Sequence, residues 1–290
     1  MKVIVSKSDL QDAINAVIPA VAVKPSTPVL SGIYFSAENS TLTIRATNFS
    51  LDITAKIGAN IESTGRTVTA GKYFAPIVSK LSGEIVTLQS DGKNLTAKSE
   101  AASFNLLTMD ASDFPKPASD QPTGSFRISG TALRKLIAQT VFACGDDQSR
   151  PIFTGVHFKI DGTDIRAEAS NTHRVAFARD STYDEASAEF IVPTATLKAI
   201  APALKSQIVT VNFNANSAAF AFDNVYLVTR LIDGSYPNAN KVIPTSVKTT
   251  ATLDANELRA ALERVQVIAR ATDYNTVACN FTADGLEISS

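Results

Sequence analysis

A chain of 290 residues with 44% apolar and 19% charged residues predicts a globular protein of two or three domains. No apolar run approaches the roughly 18 residues of a membrane span, and no signal-peptide core follows Met1, so we expect a cytoplasmic protein with no membrane partner. The net charge of −1 gives no overall sign of nucleic-acid binding, and Cys144 and Cys279 lack the spacing of a metal or disulfide motif, so we expect no metal and no cofactor.

The first part of the chain predicts a mixed unit of strands and helices. A short strand at 2–5 is followed by a helix that we expect Ser8 to cap, with apolar residues at helical spacing. Alternating runs at 32–35 and 41–44 predict half-buried strands, and a second helix is expected over 72–81. This order of elements is typical of an α+β unit with antiparallel strands.

The second part of the chain predicts the same order of elements. A strand at 125–128 leads into a helix capped by Ser129, and a second helix is expected over 194–204, just after Pro193. Asp-Gly pairs lie between apolar runs and predict hairpin turns, without the spacing of a calcium-binding loop. These pairs are at 91–92, 161–162, 233–234 and 284–285.

The two parts are copies of one unit at an offset of 123 residues, which becomes 122 near the end of the unit, where 113–115 matches 235–237. Such fixed-period similarity indicates duplication of a structural unit. The segment Ile85–Thr87 recurs unchanged as Ile208–Thr210. Further matched positions are Ser6, Leu10, Pro28, Gly32, Phe35, Leu42 and Asn48 with Ser129, Leu133, Pro151, Gly155, Phe158, Ile165 and Asn171.

A third, partial copy of the unit begins near Thr250 and stops at Ser290. The repeat therefore predicts domains at 1–122 and 123–248, with a partial third domain at 249–290. We expect the strands of this partial copy to lack some of their partners, which would leave apolar surface open.

Charge is divided unevenly between the predicted helices and the rest of the chain. The helices carry nine basic and five acidic side chains, so that the remainder is net acidic. If equivalent helices share one side of the assembly, that side attracts phosphate groups. A single charged residue on a helix is, by contrast, more often part of a solvated face.

Four short segments stand in a fixed order along the chain: Thr27–Leu30, Arg150–Val156, Ser170–Ala176 and Leu231–Pro237. Together they resemble the signature segments of the β sliding clamp family of bacterial DNA polymerase III. The resemblance implies repeated DNA-clamp domains, each with two helices packed on antiparallel sheets. It also implies a head-to-tail dimeric ring that surrounds duplex DNA and contacts phosphates without reading bases.

The resemblance implies a set of DNA-facing side chains. Lys24 matches a basic loop residue that touches DNA in the family. The second such loop position usually carries Gln, but Asp147 occupies it here, with Gln148 beside it. The basic helix residues expected to face phosphates are Lys72, Lys80, Arg134, Lys135 and Lys198.

The resemblance also implies a pocket that binds short peptides of polymerases and of the clamp loader. Its second-domain wall is expected to consist of Phe153, Ser170, Thr172, His173, Arg174, Val175, Pro237, Lys241 and Val242. The apolar members would hold Leu and Phe side chains of the peptide. The family commonly has Gly where this chain has Thr172, so one subpocket should be narrower. The other wall comes from the family's C-terminal strand, beyond the last residue of this sequence.

The leading interpretation is a sliding clamp, a processivity factor that tethers the replicative polymerase to DNA. The partners implied are double-stranded DNA, the catalytic subunit of the polymerase, an ATP-dependent clamp loader and a second copy of the chain. No nucleophile and orienting group accompany His173, so we expect no catalysis. His157 is expected to be an ordinary strand residue.

Two further interpretations follow from the same residues. The main alternative is a clamp-like tandem scaffold that binds proteins and never encircles DNA. A single-strand binder is disfavoured, because 21 aromatic residues without Trp offer few platforms for stacking bases. Because the third copy stops at Ser290, we expect an impaired ring, a monomer or a non-native association.

Overall fold

The computed structural model describes residues 1–100, 102–117, 121–238, 243–244, 246–270, 276–282 and 285–290. Its contacts divide the chain into two compact units, Met1–Asn238 and Ala239–Ser290. The first two copies of the repeat thus share one unit, while the division into three domains remains a prediction.

The first repeat folds as strands and two helices in the expected order. Its helices are α1 (Lys7–Val17) and α2 (Gly71–Lys80). Its strands are β1 (Lys2–Ser6), β2 (Gly32–Glu38), β3 (Thr41–Thr47), β4 (Leu51–Gly58), β5 (Asn60–Ser63), β6 (Gly65–Ala70), β7 (Ile85–Ser90), β8 (Asn94–Ser99) and β9 (Ala102–Met109).

The second repeat has longer strands but the same plan. Its helices are α3 (Gly130–Thr140) and α4 (Thr194–Ile200). Its strands are β10 (Gly124–Ser129), β11 (Gly155–Ser170), β12 (Val175–Pro193), β13 (Ile208–Phe213), β14 (Ser217–Phe222) and β15 (Val225–Arg230). In the second unit, α5 (Ala255–Ala269) precedes a hairpin of β16 (Ala278–Thr282) and β17 (Gly285–Ser289).

The strand register reproduces the sequence repeat. In the first repeat β2 pairs with β6 from Gly32↔Ala70, and β3 pairs with β4 from Thr41↔Gly58. In the second repeat β11 pairs with β12 through Gly155↔Pro193 and Asp164↔Ser181, which are the same pairs displaced by 123 residues. The expected α+β fold of repeated clamp domains is thereby confirmed.

The two repeats are joined by strand pairing between β4 and β15. These strands run antiparallel from Leu51↔Thr229 to Ala55↔Val225. Thirteen of the described strands consequently form one sheet, in the order β10-β13-β14-β15-β4-β3-β2-β6-β9-β8-β7-β1-β5.

The four helices of the first unit contribute one apolar face each to the core. α1 buries Leu10, Ile14 and Val17 completely, and in the core of the first repeat the rings of Phe35 and Phe74 meet edge-on at 5.0 Å. Complete burial of a Leu or Ile side chain stabilises the fold by about 1.5–3 kcal/mol.

Two local predictions about the helices are wrong. Ser6, not Ser8, caps α1: its Oγ accepts a hydrogen bond from Asp9 N at 3.4 Å, because the extended strand β1 continues to Ser6 before the chain turns. The second helix of the second repeat ends at Ile200 and continues as a 3₁₀ turn rather than as an α-helix to Leu204. Pro202 has no N–H to donate and its ring clashes with a preceding carbonyl, which stops the α-helix.

The Asp-Gly pairs differ in what they form. Asp91 and Gly92 make the predicted turn between β7 and β8, where Gly92 has φ +94°. The pair at 161–162 lies inside β11, at a shift of its register with β12. The prediction at 233–234 is wrong, because that pair follows β15 without joining a hairpin. Of the pair at 284–285, only the second residue lies within the described residues.

Candidate functional site

The turn between β11 and β12 contains four of the predicted pocket residues. Ser170 Oγ accepts a hydrogen bond from Thr172 N at 3.0 Å and donates one to Arg174 O at 2.9 Å. Asn171 Oδ1 accepts from the backbone N–H groups of His173 and Arg174 at 3.1 and 3.0 Å. These local bonds hold the segment in one tight turn whose His173, Thr172 and Arg174 side chains are exposed.

Thr172 has a backbone conformation that explains the glycine common at this position in the family. Its φ of +74° lies in the left-handed region, where a side chain costs about 1–2 kcal/mol relative to the right-handed one. Glycine has no such cost. The threonine therefore introduces strain at the turn; whether it narrows a subpocket stays a prediction.

Two aromatic residues bring the other pocket positions together. The ring of Phe153 meets that of Tyr236 edge-on at 5.8 Å, and Tyr236 stacks on the ring of His157 at 4.8 Å. Tyr236 is buried, and this burial raises the pKa of its phenol. Pro237 follows Tyr236 in the chain as an exposed residue.

His157 is a buried strand residue with carboxylates on both ring nitrogens. Its Nε2 lies 3.0 Å from Glu189 Oε1, and its Nδ1 lies 3.5 Å from Glu168 Oε2. The corresponding ring stack in the first repeat joins Tyr34 to Phe114 at 5.1 Å. The stack is thus a repeated structural feature, and His157 supports the ring of Tyr236 beneath the candidate pocket.

Arg174 is held by a residue that the sequence reasoning missed. Its guanidinium donates a hydrogen bond to Phe142 O and lies 6.0 Å from the centre of the Phe142 ring. The Phe142 side chain is 58% exposed, which makes it an apolar surface beside the turn. An aromatic residue immediately after the apolar positions of α3 was the available signal.

The remaining predicted pocket residues are only partly described. Val175 begins β12 with 37% of its surface exposed. Lys241 and Val242 lie outside the described residues. Gly145 N donates a hydrogen bond to Phe153 O and lies beside Asn171, so the structure brings Phe153 close to the turn at 170–175, with Tyr236, the residue before Pro237, against its ring.

The predicted DNA-facing side chains are all exposed. Lys198 lines a groove together with Asp12 and Asn15 of α1, so helices of the two repeats meet across it. Lys135 Nζ lies 3.1 Å from Asp180 Oδ2, an ion pair that offsets part of its charge. Lys72 Nζ lies 4.6 Å from the ring centre of Tyr73, and both residues are exposed.

Asp147, which replaces the usual Gln of the family, directs its charge into its own loop. It accepts hydrogen bonds from Ser149 N at 2.9 Å and from Arg150 Nε at 3.0 Å. The hydrogen bonds from Ser149, followed by that from Arg150, hold the pKa of the Asp147 carboxyl below its usual value. Gln148 is exposed beside Asp147. The residue of the first repeat that matches Asp147 is Lys24, which is also exposed.

Comparison with known proteins assigns the family. The model for the N-terminal domain of the DNA polymerase III beta subunit matches residues 1–118, and the model for its central domain matches residues 127–238. The chain belongs to the DNA polymerase III beta subunit family. The beta sliding clamp of Bacillus subtilis is 28% identical over 304 residues, covering 100% of this chain and 80% of the relative. That of Synechococcus elongatus is 28% identical over 279 residues, covering 93% and 74%.

Solved beta subunits share the fold. The sliding clamp of Bacillus subtilis has a TM-score of 0.91 at 27% identity, covering 100% of this chain and 80% of its own. The beta subunit of Thermotoga maritima has a TM-score of 0.89 at 26% identity, covering 99% and 82%. Within the described residues, no helix is long and apolar enough to cross a bilayer, and no cluster of three or more metal-ligating side chains occurs.

Proposed function

We propose that this protein is a DNA sliding clamp, a non-catalytic processivity factor that encircles duplex DNA and tethers a replicative polymerase. Beta subunits of DNA polymerase III have this role, and the family match covers both full repeats. The observation that carries the proposal is the identical strand register of two consecutive clamp repeats within one unit.

Contact with DNA is proposed to be made by phosphate-binding side chains without sequence readout. The candidates are Lys24, Lys72, Lys80, Arg134, Lys135, Gln148 and Lys198. Their exposure supports the proposal, as does the groove in which α1 and α4 meet. Such contacts release counterions, so retention on DNA should weaken steeply with salt.

Partner proteins are proposed to insert short peptides against the turn at 170–175. The exposed side chains of this turn, with Phe153 and Pro237 beside it, offer apolar anchors next to hydrogen-bonding groups. The polymerase catalytic subunit and the clamp loader are the proposed partners. Because a closed ring must open to admit DNA, the loader supplies ATP-driven opening in the cytoplasm.

Self-association is proposed to be head to tail. In the first unit, the residues of β9 from 102 to 107 pair with β8 on one side and have no strand pairing on the other within the described residues. Leu107 on this strand is 79% exposed, and on α5 Val267 and Ile268 are 68% and 59% exposed. An unpaired edge and exposed apolar residues support association with a second copy.

The test is topological retention. Once a clamp loader has placed it on a nicked circular plasmid, the intact protein should stay bound during gel filtration and be released when the plasmid is linearised. Equal retention on both forms, or none on either, contradicts encirclement.

A charge-reversal series separates the clamp from the scaffold alternative. Replacing Lys72, Lys135 and Lys198 with Glu should abolish retention on the circle, because helix charges then repel phosphates. The control replaces three exposed lysines outside the helices with Glu, which alters the net charge equally: Lys93, Lys98 and Lys159. A scaffold that never surrounds DNA would give the same result for both triple variants.

A further inference from the structure

A second groove lies between the two repeats, where the turn after β3 faces β14 and β15. Its volume is about 620 Å³, and we call it the junction groove. The lining residues used below are Phe49, Asp52, Lys116, Asn216, Arg230 and Asp233. We propose that the junction groove is a second peptide-docking site, which takes a short acidic segment carrying a Leu or aromatic anchor.

The turn that borders the junction groove shares three hydrogen bonds with the turn of the candidate peptide pocket. Thr47 Oγ1 accepts from Phe49 N at 3.2 Å, as Ser170 does from Thr172. Asn48 Oδ1 accepts from Ser50 N at 3.1 Å and from Leu51 N at 2.9 Å. Asn171 Oδ1 accepts from His173 N and Arg174 N in the same way. Every partner is displaced by 123 residues, so the repeat builds this docking turn twice.

Phe49 supplies an exposed anchor at the mouth of the groove. Its φ is +70°, close to the +74° of Thr172, and its side chain is 59% exposed. A left-handed conformation at a bulky residue is strained, and such strain persists where the surrounding structure enforces it. Here the enforced turn keeps an aromatic ring out of the core, where a partner side chain can pack on it.

The walls of the junction groove are held rigidly before any ligand binds. Arg45 pairs with Asp52 and donates to the carbonyl groups of Pro115 and Lys116, which fixes one wall. Backbone bonds of 2.9 Å from Arg230 N to Ser50 O and from Leu231 N to Asn216 O fix the other. A pre-formed site reduces the entropy that binding costs.

Charge selects the kind of peptide. The charge of Asp52 is matched by its contact with Arg45, so the exposed charges left at the groove are Lys116, Arg230 and Asp233. Two cations against one anion favour a ligand of negative charge. The volume suits a segment of a few residues, which commits the proposal to a short acidic peptide of a protein partner.

The test uses a defined probe on the intact protein. The probe is a fluorescein-labelled hexapeptide, Asp-Glu-Leu-Phe-Asp-Gly, with p-benzoylphenylalanine in place of Phe for cross-linking. Cross-links should map to 47–52 and 228–233. Phe49→Ala should weaken the affinity of the protein for the labelled probe about tenfold, since aromatic anchors dominate such interfaces. Lys116→Glu with Arg230→Glu should do the same, and a double control of Lys93→Glu with Lys159→Glu should not.

The inference takes its geometry from the proposed peptide pocket, and Phe153→Ala separates the two. Cross-links in the junction groove that survive Phe153→Ala and are lost with Phe49→Ala support the inference, even if the pocket proposal fails. Cross-links confined to 170–175 and insensitive to Phe49→Ala overturn it and leave the pocket proposal intact. Absence of binding, or equal binding of a probe with Lys at every acidic position, also overturns it. Far-UV circular dichroism checks that each variant is folded.

Discussion

Replacing Asp52 with Ala should destabilise the first unit by about 3 kcal/mol, because it leaves a buried arginine without its partner. Arg45 Nε donates to Asp52 Oδ1 at 2.8 Å, and its Nη2 contacts the second carboxylate oxygen. The two side chains are only 5% and 12% exposed, so solvent screens little of this interaction.

The magnitude follows from what remains after the substitution. Removing one partner of a buried ion pair costs about 3–5 kcal/mol, since the remaining charge stays desolvated. Arg45 would keep its hydrogen bonds to Pro115 O and Lys116 O, and these two acceptors place the expected cost at the lower end of the range. Replacing both Arg45 and Asp52 with Met and Leu should cost less than Asp52→Ala alone.

Urea unfolding followed by circular dichroism measures the free-energy change, and hydrogen exchange of β3 and β4 locates it in the first unit. The control is Glu62→Ala, which removes an ion pair of 2.7 Å to Lys2 whose side chains are 39% and 43% exposed. Exposed pairs contribute about 0–1 kcal/mol. If Asp52→Ala unfolds at the same urea concentration as Glu62→Ala, the burial argument is refuted.

Three further outcomes are expected. Thr172→Gly should stabilise the protein by about 0.5–1 kcal/mol in thermal unfolding, because glycine adopts the left-handed conformation without strain; a lower midpoint would contradict this. Iodoacetamide should alkylate Cys144 far more slowly than the exposed Cys279, since burial raises the pKa of the Cys144 thiol; equal rates by mass spectrometry would refute it. The hydrogen bond from Arg127 lowers the pKa of Asp184 below its ordinary value of 3.8. The contact of the Asp184 carboxylate with Arg127 therefore stabilises the folded protein above pH 3.8, and this contribution is lost as the pH falls through the lower pKa of the folded state. In NMR titration Arg127→Met should restore the ordinary value, and an unchanged midpoint would count against the contact.

The fold was predictable where the repeat preserves core positions. Leu10 and Leu133, at the same offset, are both buried on the first helix of their repeats. The same offset predicts that equivalent strands of the two repeats pair in the same register, because a strand that slipped by one residue would turn its apolar side chains to solvent. The sequence therefore carried the plan of each repeat.

Long-range packing explains what the sequence could not predict. The antiparallel seam of β4 with β15 joins strands of different repeats, and no local pattern encodes which edges meet. Likewise, Tyr236 stacks on His157 from 79 positions further along the chain. The prediction of the residue that caps α1 was wrong for a different reason. Ser6 and Ser8 are equally suitable as helix caps, and only the length of β1 selects between them.

At the candidate site, residue types were easier to predict than their partners. The turn at 170–174 follows from its Ser and Asn side chains, which bond their own backbone. The ion pair of Lys135 with Asp180 depends on where α3 lies on β12, which spacing alone does not determine.

The seam between β4 and β15 also has a mechanical consequence. Five successive residue pairs cross it, from Leu51↔Thr229 to Ala55↔Val225, and Lys56 N adds a bond of 3.0 Å to Asn224 O. Bending the first repeat away from the second would shear this whole ladder at once, whereas a flexible tether would yield at little energetic cost. The first unit should therefore behave as a stiff elastic segment, and in the proposed ring any gate that admits DNA should lie elsewhere.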